Sequence, residues 1–176
     1  MYIRETDIMK TSILLTGSTG FIGRNIHEQL RDTYLFHIPS HKDLDLTDLN
    51  SVNTYFSSHP IDVVIHCASL GGRRNSLYIP DSVEKNLRMF FNIVRQKHFF
   101  KKMIYLGSGA EYDKNRQMSK VKESQFGDNI PQDQYGFYKY FCSRYAAYDP
   151  QIINLRLFGV FGKYEDYTTR FISNNI

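Results

Sequence analysis

Ile13-Leu-Leu-Thr-Gly-Ser-Thr-Gly-Phe-Ile-Gly23 is the stretch from which the rest of the chain can be read. A short apolar run ends at Thr16, glycines follow at 17, 20 and 23, and a helical pattern begins at once through Phe21, Ile22, Ile26 and Leu30. That order is strand, tight turn, helix. Gly17, Gly20 and Gly23 let the backbone turn sharply, admit a phosphate without a side chain in the way, and allow helix and strand to pack closely. The free N–H groups at the helix start then face an anion. Arg24 and Asn25 follow Gly23 where a P-loop would carry Lys and Ser or Thr, so a nucleoside triphosphatase is disfavoured.

Composition sets the frame around that turn. The 176 residues, 41% hydrophobic and 23% charged, suit one globular domain. No long apolar span marks a membrane segment, and residues 1–10 lack the apolar core of a signal peptide, so a cytoplasmic location is expected. They read as an N-terminal extension, with the domain running over 11–176. The two cysteines, Cys67 and Cys142, lack CxxC spacing, and the six histidines lack ligand spacing; free thiols and no metal are expected. The net charge of +4 is spread over Arg73-Arg74, Lys101-Lys102 and Lys114 to Lys122, with no nucleic-acid-binding signature beside it. An anionic small molecule explains it as well as a polymer would.

Strands are predicted at Ser12–Thr16, Tyr34–Ile38, Asp43–Leu46, Ile61–Cys67, Met103–Gly107 and Ile152–Phe158. Helices are predicted at Gly20–Arg31, Thr47–Ser57, Ser82–His98 and Gln134–Tyr148, with Asp48 capping the second. Strands alternating with helices give an α/β fold, a doubly wound parallel sheet (Rossmann fold) in the order 3-2-1-4-5-6. Ligands in such sheets sit beyond the carboxyl ends of the strands. The second strand ends in His37-Ile-Pro-Ser-His-Lys42 with no carboxylate before Asp43. Ser40, His41 and Lys42 there suit the 2′-phosphate of NADP, with a solvated basic turn as the bland alternative and NAD as the other cofactor.

Thr16 to Gly23 resembles the cofactor loop of the extended short-chain dehydrogenase/reductase family, whose members mostly act on nucleotide sugars. The resemblance implies that Gly17, Ser18, Thr19, Gly20, Phe21, Ile22 and Gly23 line a dinucleotide. Asp45-Leu46-Thr47-Asp48 looks like the family's Asp-Leu/Ile-x-Asp pattern, which implies that Asp45 and Leu46 hold adenine. Cys67, Ala68 and Ser69 fall at the family's small-residue turn beside the nicotinamide ribose, and Asn86 matches its asparagine on the next helix. Asn154-Leu-Arg-Leu-Phe-Gly-Val-Phe-Gly162 is similar to the family's Leu-Arg-x-Phe-Asn-x-Tyr-Gly segment, which places Phe158 at the cofactor.

Ser108, Tyr135 and Lys139 form the catalytic constellation. Tyr135-Gly-Phe-Tyr-Lys139 puts two side chains on one helical face, one turn apart. Hydride transfer at a sugar carbon requires a proton to move at the attached oxygen, and a tyrosine can carry it if its pKa, normally about 10, falls by roughly 3 units. An adjacent ammonium supplies part of that field. The resemblance implies that Lys139 also binds the nicotinamide ribose and that Ser108 is the catalytic hydroxyl.

Departures from the family narrow the reaction. Gly109-Ala110 stand where its dehydratases carry Asp-Glu. Its double epimerases use a cysteine that would fall on Ala110, and a late histidine, whereas none follows His98. Single epimerisation or net reduction of a keto-sugar is left. The family continues beyond the Leu-Arg segment into a substrate domain, so a truncated chain lacking most of it is expected. The helices at 82–98 and 134–148, with Phe90, Phe91, Phe99, Phe100, Tyr138, Phe141, Tyr145 and Tyr148, correspond to the family's dimer bundle and imply a homodimer. An NADP-binding redox-sensing or regulatory protein of the same fold, without catalysis, is the alternative.

Overall fold

The computed structural model describes residues 10–71, 79–113, 119–168 and 171–175. The extension before Lys10, the Arg73-Arg74 pair and Lys114 lie outside the described residues. Five parallel strands form one sheet, β1 (Ser12–Thr16), β2 (Leu35–His37), β3 (Val63–His66), β4 (Lys102–Ser108) and β5 (Ile152–Leu157), in the order β2-β1-β3-β4-β5. Helices α1 (Phe21–Leu30), α2 (Leu49–Ser58), α3 (Ser82–Val94) and α4 (Gln134–Ala146) connect them, and α5 (Phe171–Asn174) follows β5. The chain order reverses at β1 and β3, the place where such sheets open a crevice at their carboxyl ends.

Period-2 alternation divides the core between the two faces of the sheet. Leu14, Val64, Met103 and Tyr105 point to the face covered by α2, α3 and α4, where they meet Val52, Phe56, Phe90, Ile93, Tyr138 and Cys142. Ile13, Leu15 and Ile65 point the other way and pack with Ile26 of α1 and Phe36. On that second face the edge strand β5 is thinly covered, leaving Ile153 and Leu155 exposed.

The strand expected at 43–46 does not form. Leu44 and Leu46 are buried as their alternation implied, but the backbone groups around them are used in turns. Asp43 and Leu44 donate to the Ser40 carbonyl, and Asp48 donates to the Asp45 carbonyl. Asn92 of α3 then takes the Leu46 carbonyl at 2.9 Å. The Asp45 N–H donates to Ser51 Oγ at 3.0 Å, so several groups that a sixth ladder would need are already used. The other strands keep the expected relative order. Asp48 caps α2, accepting from the Asn50 N–H at 3.0 Å.

Candidate active site

The crevice begins at the glycine turn. Gly17 adopts φ 68°, and a Cβ there would lie 2.6 Å from the Ala68 backbone nitrogen. A Cβ on Gly23 would lie 2.2 Å from the Gly17 carbonyl oxygen. Both positions therefore require glycine, one for its positive φ and both for backbone contact. Gly20 caps α1 with no side-chain hydrogen bond, so the first N–H groups of the helix are left for an anion. The cradle that missing side chains create here fits the pyrophosphate of a dinucleotide.

Beneath the turn, Thr16 joins β1 to β3. Its hydroxyl lies 2.8 Å from His66 Nδ1 and accepts the Ala68 N–H at 3.3 Å. Burial pushes the His66 pKa down to about 3, with the Lys139 ammonium adding to the effect, so the ring is neutral. Burial likewise pushes the Cys67 thiol up to about 12 and keeps it protonated. Both cysteines are free.

A cavity of about 580 Å³ opens above these strand ends. It brings together Gly17, Gly20, Phe21, Ile22 and Gly23 from the turn, Cys67 and Ser69 after β3, Ser108 at the end of β4, Tyr135 and Lys139 on α4, and Phe158 after β5. Ser108 Oγ accepts the Ala110 N–H at 3.2 Å, which leaves its own proton to donate elsewhere. Lys139 is almost wholly buried; its Nζ donates to the Leu106 carbonyl at 2.5 Å and lies 5.8 Å from the centre of the Tyr135 ring. Desolvation brings the Lys139 pKa down to about 8, so it remains mostly charged at neutrality beside that phenol. Ser69 Oγ and the Tyr138 hydroxyl, 2.5 Å apart, fix the rim opposite.

Several expected contacts lie elsewhere. The Ser40 N–H and hydroxyl both bond the Asp43 carboxylate, at 3.1 and 2.6 Å, and Ser40, His41 and Lys42 do not line the cavity. Asp45 is tied to Thr47 through Oδ1 at 2.8 and 2.7 Å, and Leu46 is in the core. Ala68 contributes backbone under Gly17. Asn86 is buried on α3 and spends its amide on the loop, accepting from Leu70 N–H at 2.8 Å and donating to the Leu70 carbonyl at 2.9 Å. It holds the loop that carries Ser69. Ser18 and Thr19 line a separate, smaller depression.

The cavity wall includes Leu157, Gly159, Val160 and Phe161 from the 154–162 segment read from the sequence, and also Glu165 and Ile172, which sequence reasoning missed because no periodic signal marks them. Sequence reasoning also missed the role of Glu111. This carboxylate is fully buried and accepts the Ser108 N–H at 2.7 Å, closing a capping box with the serine side chain. Burial raises its pKa, opposed by hydrogen bonds from Ser143 and the Ser108 N–H and by Arg156.

A parallel sheet in the order β2-β1-β3-β4-β5, with a glycine turn at its crossover, is the arrangement of a Rossmann-type domain. The chain belongs to the NAD dependent epimerase/dehydratase family, whose model matches residues 13–176. It is 34% identical over 109 residues to a GDP-L-colitose synthase of Yersinia pseudotuberculosis, an alignment covering 58% of this chain and 35% of that protein. In fold it is similar to a GDP-D-glycero-L-gluco-heptose synthase from Campylobacter jejuni, determined in the presence of NADPH, with a TM-score of 0.78 and 22% identity. That match covers 90% of this chain and 50% of the other. A GDP-L-fucose synthetase from Naegleria fowleri bound to NADP gives a TM-score of 0.77 at 19% identity, over 93% and 59% of the two chains. The chain thus spans about half the length of these solved relatives.

Proposed function

We propose that this chain is the cofactor-binding and catalytic part of an NADP-dependent nucleotide-sugar epimerase or keto-sugar reductase. The observation that carries the reading is the convergence of Ser108, Tyr135 and Lys139 on one cavity with the glycine turn. The cofactor, when bound, supplies or accepts the hydride at the sugar carbon. Tyr135 gives or takes the proton at the attached oxygen, Ser108 hydrogen-bonds that oxygen, and Lys139 holds the phenol in a positive field. GDP-linked sugars are the first substrates to test, following the names of the relatives. Phe141 and Tyr148 of α4 and its C-terminal turn remain exposed beside α3, which supports a homodimer through these helices. No helix among the described residues is long and apolar enough to cross a membrane, in keeping with a cytoplasmic site of action.

The test is to follow nicotinamide absorbance with NADPH and a panel of GDP-linked and UDP-linked keto-sugars for net reduction, and sugar NMR with NADP and the corresponding hydroxy-sugars for redox-neutral epimerisation, for this chain and for Tyr135→Phe. Turnover that the substitution removes while NADPH binding persists supports the reading. A chain that binds neither NADPH nor NADH in calorimetry overturns it.

A further inference from the structure

A second depression, of about 360 Å³, lies between α1 and the end of β2. Ser18 and Thr19 form its rim on the glycine turn, Ile38 lines the β2 side, and Arg24, His27 and Arg31 line the helix side. These three recur at intervals of three and four residues, so they make one basic stripe along α1. Glu28 lines the same depression, where its carboxylate is neutralised by Lys163, whose Nζ lies 2.5 Å from Oε1, and is bonded by Tyr164, with Arg31 adding to the positive field around it. The Arg24 guanidinium stacks 4.8 Å from the centre of the Tyr164 ring, which orients it. Among the described residues no carboxylate forms an ion pair with Arg24 or Arg31.

The turn after β2 has the opposite character. There the Ser40 donors are spent on Asp43, whose carboxylate they hold below the usual range, and a phosphate brought to that turn meets a fixed negative charge. The ribose that follows a pyrophosphate on a glycine turn lies toward the end of the second strand. The depression beside α1 lies in that direction and presents Arg24 and Arg31 around a Glu28 carboxylate that Lys163 already pairs.

We propose that Arg24 and Arg31, with Thr19 at the rim and His27 between them, bind the 2′-phosphate on the adenosine ribose of NADP and so set the choice of NADP over NAD. The proposal rests on the cofactor reading above and moves the selectivity from Ser40, His41 and Lys42 to the exposed face of the first helix. Guanidinium groups suit this role because they stay charged and grip phosphate oxygens through paired donors.

Calorimetric titration of the chain with NADPH and with NADH tests it, using Arg24→Ala, Arg31→Ala and Lys42→Ala, each checked for native circular dichroism. Each arginine substitution is expected to weaken NADPH about tenfold or more, to leave NADH within about twofold, and to exceed the effect of Lys42→Ala. Equal loss of both dinucleotides in the arginine variants overturns the proposal, as does a selective NADPH loss confined to Lys42→Ala. If the native chain binds NADH as tightly as NADPH, the proposal falls and the cofactor reading stands. If it binds neither, both fall.

Discussion

Glu111 Oε2 lies 3.0 Å from Arg156 Nε, joining the turn after β4 to the edge strand β5 beneath Ser108. The acid is fully buried while the Arg156 side chain keeps 19% of its exposure, so the two partners differ in what they lose if separated. Arg156→Ala leaves a buried carboxylate without its cation, held only by Ser143 and the Ser108 N–H, and is expected to cost about 3–5 kcal/mol. Glu111→Gln keeps an acceptor for the Ser108 N–H and is expected to cost about 1–3 kcal/mol. Urea unfolding followed by circular dichroism measures both, and equal losses would contradict this asymmetry.

Gly23→Ala and Gly159→Ala make a matched pair. An added methyl at 23 meets the Gly17 carbonyl at 2.2 Å, whereas at 159 nothing lies within 4 Å. The first is expected to lower stability by about 1–3 kcal/mol and to abolish dinucleotide binding, and the second to stay within about 0.5 kcal/mol of native. Thermal unfolding and calorimetry check the two together.

Acid sensitivity follows from His66. Its folded pKa, near 3, lies below the ordinary 6.5, so the unfolded chain binds the extra proton between those values. Stability from this group is complete above pH 6.5 and declines as pH falls toward 3, a span worth on the order of 5 kcal/mol. His66→Gln is expected to flatten stability against pH over that window. An unchanged slope would show that other groups set the acid limb.

Tyr135→Phe removes the proposed proton carrier and keeps the ring. A fall of about 10²–10⁴ in kcat is expected, with NADPH affinity preserved. Parallel losses in binding and turnover would instead mark a packing role for the ring.

Asn86→Leu tests a different duty. The loop at Leu70 depends on two amide hydrogen bonds, at 2.8 and 2.9 Å, so the variant is expected to lose about 1–3 kcal/mol of stability. Limited proteolysis near residue 70 should quicken as well. A direct cofactor contact would lower dinucleotide affinity with no change in proteolysis.

Much of this was legible in the sequence. The run Ser12–Thr16 is buried on both faces and reads as a strand, and Asp48 signals its helix cap. Glycines 17 and 23 announced a turn that only glycine can make. Asp43–Leu46 misled because a turn-rich segment buries Leu44 and Leu46 with the same alternation as a strand, and the pattern does not say where backbone hydrogen bonds go. Ser40 and Asn86 were at informative positions with their polar atoms bonded within the chain, to Asp43 at the surface and to Leu70 in the interior, which depends on side-chain direction. Glu111 gave no local sign of its partner 45 residues away.

The contact between Gly17 and the Ala68 backbone has a consequence for the size of ligand this crevice accepts. With no room for a Cβ between them, the glycine turn and the loop after β3 are in direct backbone contact, and the parallel ladders from β1 through β3 to β4 carry that register on to Ser108. A molecule that reaches both ends gains from simultaneous engagement, whereas one as short as a mononucleotide holds only one end.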